Sequence, residues 1–260
     1  MQKLNESFRQ RIGFPRKEAI TFQNLELVLE KMAKTVPFEN TAIIEERTGE
    51  ISPDYLQDKI IERREGGLCY ELNSLLYLFL RENGLEVSII KGITFDPANQ
   101  TWSNTGATHA TILLNDNGPL YIVDSGFGAN LPLKPVPLDG KPIRSDNGEF
   151  KIEPQETKHG DYVLYVKLKD KDEEWRTGYA FSSTRLFHDV KELNEMQKII
   201  VEHPESRFNK SPLLSLLTDK GSIVLTNNSF TEWSEGTKQK QDIDSKEYNL
   251  KVKEKFGIMN

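Results

Sequence analysis

The chain has one cysteine among 260 residues, Cys69, in a stretch typical of a sulfur nucleophile. Two glycines at positions 66 and 67 give the backbone a flexible entry. Apolar side chains then recur at helical spacing: Leu68, Leu72, Leu75, Leu76, Phe79 and Leu80. Asn83 and Gly84 supply a stop signal. Cys69 is therefore predicted in the first turn of a helix, where unpaired N–H groups and the helix dipole favour a thiolate. A buried, inert cysteine is the competing interpretation.

A thiol nucleophile needs a base, and histidine is a common one. The chain has four candidates: His109, His159, His188 and His203. His159 lies in a turn sequence and is expected to be exposed to solvent. His188 and His203 bracket a predicted helix at 189–202, where cap or surface positions are expected. His109 differs because it falls inside a strand pattern at residues 108–114. His109 is therefore the candidate base.

A hairpin argument brings Asp124 to this histidine. The turn sequence at 115–118 separates the strand from a second run at 119–124. If 115–118 is the loop, His109 stands directly opposite Asp124, with Cβ atoms ~4.5–5.5 Å apart. If the turn is centred on Asn117 and Gly118, His109 faces Gly126 and Asp124 is a diagonal neighbour on the same face. A slip of one residue or a bulge would separate the pair.

In either of these two registers the Asp124 carboxylate lies close enough to His109 to affect its chemistry. A carboxylate that accepts from one imidazole nitrogen fixes the tautomer and stabilises the imidazolium. The other nitrogen is then left to take the proton of a thiol. Cys69, His109 and Asp124 are thus predicted to form a catalytic triad.

Composition limits the classes of protein that need considering. The length allows one large domain or two to three small ones, and 37% hydrophobic residues support a core. A net charge of -6 argues against bulk nucleic-acid binding. The longest apolar run, 72–80, is too short for a membrane span, and the N-terminus lacks a signal-peptide core. One cysteine with scattered histidines offers no zinc spacing and fits a reducing compartment. We expect a soluble cytoplasmic protein without metal, nucleic-acid or membrane partners.

The elements that must position the triad are predicted to be helices in the first third of the chain and mainly strands after it. An apolar stripe predicts a helix that ends before Pro37, and Ser52 with Pro53 marks the start of another. With the Cys69 helix these form a helical cluster ending near residue 84. Short β-branched or aromatic runs follow at 87–95, 107–114, 120–123, 150–152, 162–168 and 175–181. They indicate a barrel or sandwich. The segment from 207 to 260 mixes short strands, such as 222–226, with a lysine- and glutamate-rich tail.

Three segments resemble the motifs of the arylamine N-acetyltransferases: GGLCYELN at 66–73, TGATH at 105–109 and VDSGFG at 123–128. Weaker matches are VPFEN at 36–40 and HPESRF at 203–208. They follow the family's order over most of the chain. The resemblance implies an α+β fold with a cysteine-protease-like triad. Its parts would be a helical bundle (1–84), an antiparallel β-barrel (85–185), an interdomain helix (186–206) and an α/β lid (207–260).

The resemblance also implies roles for individual residues. Cys69, His109 and Asp124 would be the catalytic triad. Thr105, Gly106 and Thr108 would lie near the pantetheine or phosphates of coenzyme A. The aromatic acceptor pocket would be lined by Phe127 and Phe38. Gly126 and Gly128 would let the backbone approach a ligand closely, although tight turns alone would also explain these glycines.

The implied activity is acetyl transfer in two half-reactions, and the implied setting is xenobiotic metabolism. Acetyl-CoA would acetylate Cys69, and an arylamine, hydrazine or N-hydroxyarylamine would then take the acetyl group without a metal. Three alternatives use the same residues: an amide synthase of the same family, a thiol hydrolase or amidase that delivers water, and a non-catalytic binding homologue.

One position departs from the family pattern. An arginine usually precedes the two glycines, whereas this chain has Glu65. A carboxylate pointing at the thiolate would disfavour the ion pair with histidine. We expect Glu65 to face solvent or to pair with Arg64, while an upstream arginine takes the usual structural role.

Overall fold

The computed structural model describes residues 2–259 and contains helices and two antiparallel sheets. Its α-helices are α1 (Gln2–Ile12), α2 (Leu25–Ala33), α3 (Thr41–Ile44), α4 (Pro53–Leu56), α5 (Cys69–Glu82), α6 (Asn194–Glu202) and α7 (Ser245–Phe256). Short 3₁₀ turns occupy Phe22–Asn24, Val190–Leu193 and Arg207–Asn209, and a π-helical turn, Gln57–Glu62, extends α4. As predicted, Ser52 caps α4: its hydroxyl accepts from the Tyr55 N–H at 3.2 Å.

The larger sheet curls into a nearly closed barrel. Its strands are β2 (Glu86–Asp96), β4 (His109–Asn115), β5 (Leu120–Val123), β6 (Val136–Pro137), β7 (Ile143–Ser145), β8 (Gly148–Thr157), β9 (Gly160–Leu168) and β10 (Arg176–Phe181). Their order is β6-β5-β4-β2-β10-β9-β8-β7, and β6 comes against β8. A short strand, β3 (Thr101–Trp102), pairs only with the outer end of β2.

The smaller sheet forms the lid. It runs in the order β1 (Phe38–Glu39), β11 (Leu213–Thr218), β12 (Gly221–Thr226), β13 (Ser229–Ser234) and β14 (Thr237–Asp242). Helix α7 buries Val252 and Phe256 against this sheet. Strand β1 comes from the first third of the chain, so the lid sheet also joins the helical part to the C-terminal part.

Helix α5 is the central element of the main core. Nearly all of its residues from Cys69 to Leu80 are buried, and it packs on β2 and β4. Leu68, its N-cap, has no side-chain acceptor; instead the Glu71 carboxylate accepts from the Leu68 N–H at 2.9 Å. The predicted start at Cys69 is therefore confirmed, and the predicted stop at Asn83 and Gly84 is confirmed as well.

The first of the two hairpin registers is wrong, and the second is confirmed. Strands β4 and β5 pair Asn115 with Leu120 and Ile112 with Val123. The turn centres on Asn117 and Gly118 because both have positive φ, 54° and 120°, as a tight hairpin of matching twist requires. Asp124 thus follows β5 as a diagonal neighbour of His109.

Among residues 2–259, no helix has the length and apolar character needed to cross a bilayer.

Candidate active site

The nucleophile candidate lies where the helical part meets the barrel. Cys69 is the first residue of α5 and is buried, with its Sγ 3.4 Å from the Thr108 carbonyl oxygen. On another side, Gly126 packs directly against the start of the helix, where an added Cβ would lie 2.6 Å from the Cys69 Cα. The N–H groups of Cys69 and Tyr70 are the first two of the helix and precede the first amide that bonds back, that of Glu71. They therefore point out of the helix beside the sulfur.

His109 begins β4 and is 3% exposed. Its Nε2 lies 2.7 Å from the Asp124 Oδ2, so Nδ1 is the nitrogen left for Cys69, whose side chain also raises the pKa of the ring. Burial lowers the pKa of His109, but the charge and hydrogen bond of Asp124 outweigh it and raise the pKa to about 10. The imidazole is thus held as a cation at neutral pH.

Asp124 is surrounded by hydrogen-bond donors. Its Oδ2 accepts from His109 and from the Tyr179 hydroxyl at 3.0 Å, and its Oδ1 accepts from the Asn73 amide at 2.9 Å and the Gly126 N–H at 2.8 Å. Burial raises the pKa of Asp124, but the charge of His109 and these bonds outweigh it and lower the pKa below 3.8. The buried carboxylate is therefore ionised and fully satisfied.

Asn73 and Tyr179 belong to the site, but we assigned them no role from the sequence. Asn73 lies one turn beyond Cys69 on α5. Its side chain also bonds the Ala110 carbonyl at 2.7 Å and the Ser125 N–H at 2.9 Å, which ties both hairpin strands to the helix. The sequence could have indicated this role, because Asn73 is four residues after Cys69 and therefore lies on the same face of the helix. The Tyr179 ring packs on His109 with centroids 4.5 Å apart, and nothing in the local sequence indicated that contact.

A second buried ionic cluster lies beneath the start of α5. The Lys59 Nζ is 2.6 Å from Glu71 and 3.5 Å from Glu39, and all three side chains are at most 3% exposed. Burial lowers the pKa of Lys59, but the charges of the two glutamates raise it well above its usual value. This lysine holds the carboxylate that caps the cysteine helix.

The expectation for Glu65 was wrong. Glu65 is 7% exposed and pairs with Arg63 at 2.8 Å and Arg47 at 3.4 Å, rather than with Arg64 or solvent. Arg64 instead turns away at φ 58°, and its carbonyl accepts from Arg11. Burial raises the pKa of Glu65, partly offset by these arginines. Its Oε1 is therefore paired with both arginines, while its Oε2 is buried without a hydrogen-bond partner within residues 2–259.

The triad opens into a cavity of about 670 Å³, within the usual range for small-molecule sites. Thr105 and Thr108 line it, with their hydroxyls 2.8 Å apart, whereas Gly106 lies in the same loop at φ 73° but does not line the cavity. Phe38, Phe127 and Gly128 line it as well.

Aromatic rings form one side of this cavity. Phe127 packs on His109 and on Tyr179, each with centroids 5.1 Å apart, and Phe38 meets Phe208 edge-on at 5.7 Å. Within residues 2–259 no three His, Cys, Asp or Glu side chains converge as metal ligands would.

The other histidines lie away from the sulfur. His188 is exposed, and His203 is the C-cap of α6. His159 is in the predicted turn but is not fully exposed, because its ring packs against Trp102 with centroids 5.2 Å apart. The late helix has the predicted buried face, Val190, Leu193, Met196 and Ile200, although its first turn is 3₁₀.

A thiol, an imidazolium and a buried carboxylate in this arrangement define a thiol enzyme that can carry an acyl group. The N-acetyltransferase family model matches residues 21–259. An acetyltransferase of Bacillus subtilis (strain 168), YvcN, is 39% identical over 248 residues, which is 95% of each chain. The chain therefore belongs to the arylamine N-acetyltransferase family and is an acyltransferase.

Two solved structures are similar to this protein over the full length of the chain. Arylamine N-acetyltransferase C from Bacillus anthracis is 39% identical with a TM-score of 0.94, and each chain is covered completely. An arylamine N-acetyltransferase from Bacillus cereus is 37% identical, with the same TM-score and coverage, and is described as having a unique Cys-His-Glu catalytic triad. In this chain an aspartate, Asp124, bonds the histidine.

Proposed function

We propose that this protein transfers the acetyl group of acetyl-CoA to arylamines, hydrazines or N-hydroxyarylamines through an acetyl-Cys69 intermediate. The observation that carries the proposal is the arrangement of Cys69, His109 and Asp124 beside an aromatic-walled cavity of ligand size. Family membership supports the reaction class, and the site geometry supports these residue roles.

In the first half-reaction the Cys69 sulfur attacks the thioester carbonyl while its proton resides on His109. The Cys69 and Tyr70 N–H groups would donate to the oxyanion that forms. When the bond from the acetyl carbon to the CoA sulfur breaks, His109 returns its proton to the leaving thiolate. Asp124 stays ionised throughout and holds Nε2, so that Nδ1 keeps facing the sulfur.

In the second half-reaction a neutral amine attacks the acetyl carbon of acetyl-Cys69. His109, now neutral, takes the amine proton as the new C–N bond forms. Collapse of the intermediate expels the Cys69 thiolate and restores the pair with imidazolium. An arylamine suits this step because its amine is unprotonated at neutral pH.

Two sides of the cavity would then serve the two substrates. Thr105 and Thr108, with Gly106 in the same loop, would contact the pantetheine or phosphates of the donor. Phe127, Phe38 and Gly128 would hold the aromatic acceptor. We also propose the boundaries given above, 1–84, 85–185, 186–206 and 207–260, for the parts that enclose this cavity.

Initial rates with acetyl-CoA and an arylamine such as 4-anisidine test the proposal. Double-reciprocal plots at several acceptor concentrations should be parallel, as in a ping-pong reaction, and Cys69→Ser should be inactive. Release of acetate without any acetylated amine would instead identify a hydrolase. Intersecting lines would contradict the acetyl-cysteine intermediate.

A further inference from the structure

The cavity that contains the triad has an inner end and an outer end of different character. Cys69, at the inner end, is 5% exposed, whereas the side chain of Arg207, at the outer end, is 70% exposed. In acetyl-CoA the reacting thioester lies at one end of a long flexible arm, and the phosphates lie at the other end. Because the thioester must reach the buried sulfur, the phosphates must stay near the outer end. The charged side chains there therefore meet the charged part of the donor.

Arg207 is the accessible cation at this outer end. Two arginines and no lysine line the cavity within residues 2–259. The side chain of the other arginine, Arg176, is 27% exposed and already donates to Asp172 and to Asn130. Arg207 has a single hydrogen bond within the described range, from its Nη2 to the Asp96 Oδ2. Most of its N–H donors therefore remain available to a ligand, in the planar arrangement that suits phosphate oxygens.

The carboxylate that pairs with Arg207 has other partners. Asp96 ends β2, and its side chain is 12% exposed. Its carboxylate also accepts from the Ala98 N–H at 3.0 Å and from the Asn99 side-chain amide at 2.9 Å. If Arg207 turned away, these two donors would still satisfy the carboxylate, so the high cost of an unpaired buried charge would not arise. Arg207 can therefore exchange Asp96 for another anion.

A second contact holds the two sides of the outer end together when Arg207 changes partner. The Asn104 side-chain amide, just after β3, donates to the Glu205 Oε1 at 3.3 Å. The backbone around Arg207 is fixed as well, because the buried Ser206 accepts from the Phe208 N–H through its hydroxyl at 3.3 Å. The exchange thus requires movement of the Arg207 side chain only.

We propose that Arg207 binds a phosphate of acetyl-CoA in place of Asp96, and that Asp96 is an internal competitor that limits the affinity for the donor. The inference rests on the proposed function, because it concerns entry of the same donor. A phosphate carries more charge and more acceptor oxygens than one carboxylate, so it displaces Asp96 from the guanidinium. Glu205 also opposes an anion at this end, but it bonds Asn104 rather than Arg207.

The test compares acetyl-CoA with S-acetylpantetheine, which has the same thioester and arm but no phosphate. Quenching and intact mass give the second-order rate constant for acetylation of Cys69 by each donor. With acetyl-CoA, Arg207→Gln should lower this constant roughly 10-fold, and Asp96→Asn should raise it roughly 3- to 10-fold. With S-acetylpantetheine, neither variant should change it more than about twofold, since charges at the exposed end would meet no opposite charge. Arg144→Gln, an arginine 82% exposed on β7, is the matched control and should change neither constant.

Two further variants separate a direct exchange from a general effect of charge. Glu205→Gln removes a carboxylate from the same end without freeing Arg207, so its gain with acetyl-CoA should be smaller than that of Asp96→Asn. In an Arg207→Gln background the gain from Asp96→Asn should be largely lost, because the two side chains act as one pair.

Equal losses with both donors would overturn the proposal and make the pair a structural clamp. An unchanged rate with acetyl-CoA in either single variant, or a slower one in Asp96→Asn, would overturn it too. A gain that persists in the double variant, or that Glu205→Gln matches, would reduce the effect to net charge. If Arg207→Gln does not fold, Asp96→Asn with the two donors decides. Failure of the proposed function has a separate signature: neither donor would acetylate Cys69 of the wild type.

Discussion

Replacing Asp124 by asparagine keeps the shape of the side chain but removes its charge, and we expect acetylation of Cys69 to become slow. All four groups around Asp124 are hydrogen-bond donors: His109, Tyr179, Asn73 and the Gly126 N–H. A carboxamide has only one acceptor oxygen. Its NH₂ group must therefore face two donors, whichever way it is turned.

The magnitude follows from the pKa of His109. That pKa of about 10 lies roughly 3.5 units above the usual 6.5 because the charge and hydrogen bond of Asp124, with a smaller contribution from Cys69, outweigh burial. At ~1.4 kcal/mol for each pKa unit, this corresponds to about 5 kcal/mol of net stabilisation of the imidazolium, most of which depends on the carboxylate. We expect the rate of acetyl-Cys69 formation to fall roughly 10³- to 10⁴-fold, as the corresponding change does in serine-based triads.

Rapid quenching followed by intact-mass measurement gives this rate directly. Asp146→Asn, an exposed aspartate away from the cavity, is the matched control and should acetylate like wild type. An Asp124→Asn enzyme within about tenfold of the wild-type rate would refute the reasoning, because the imidazolium would then not depend on Asp124.

The loss of stability caused by Asp124→Asn should depend on pH. The folded pKa of His109 lies above its usual 6.5, so its contribution is fully present below pH 6.5 and is lost as the pH rises to about 10. The folded pKa of Asp124 lies below 3.8, so its contribution is present above that pH and is lost on acidification. The difference in unfolding free energy between wild type and Asp124→Asn should therefore narrow from pH 6 to pH 10 in urea titrations. A constant or widening difference would contradict the assigned charges.

Three further substitutions probe the surroundings of the triad. Gly126→Ala would place a Cβ 2.6 Å from the Cys69 Cα, so we expect a loss of about 1–3 kcal/mol in urea unfolding and slower iodoacetamide labelling of the thiol. Tyr179→Phe removes one donor to Asp124 but keeps the ring. Acetylation should slow by roughly tenfold with little change in Tm, whereas an unchanged rate would show that this hydroxyl is dispensable. Lys59→Met leaves two buried glutamates without their cation and should cost about 3–5 kcal/mol of stability by urea unfolding, against no measurable loss for the exposed Lys169→Met.

The local parts of the site could be predicted from sequence because they depend on short periodicities. The apolar spacing predicts a helix that begins near Cys69, and Asn83 and Gly84 mark its end. The structure confirms both. The hairpin turn limits His109 and Asp124 to one sheet face, since both registers considered share the same parity. The choice between those registers depends on where the turn is centred, and the structure centres it on Asn117 and Gly118, both at positive φ.

The remaining parts depend on long-range pairing. Tyr179 reaches Asp124 because β10 pairs with β2, a neighbour that the order of strands in the sequence does not specify. Strand β1 joins the lid through β11, far along the chain. The partners of Glu65 are Arg63 and Arg47, while Arg64 between them takes a left-handed conformation, and the composition of a charged run does not reveal which of its arginines will pair.

Intact mass after incubation with acetyl-CoA alone tests the central claim most directly. The wild-type protein should gain one acetyl group, Cys69→Ala should gain none, and adding an arylamine should return the wild type to its original mass. Two results would contradict the account. One is an acetyl group that persists in Cys69→Ala, and the other is an unmodified wild type whose Cys69 still reacts readily with iodoacetamide.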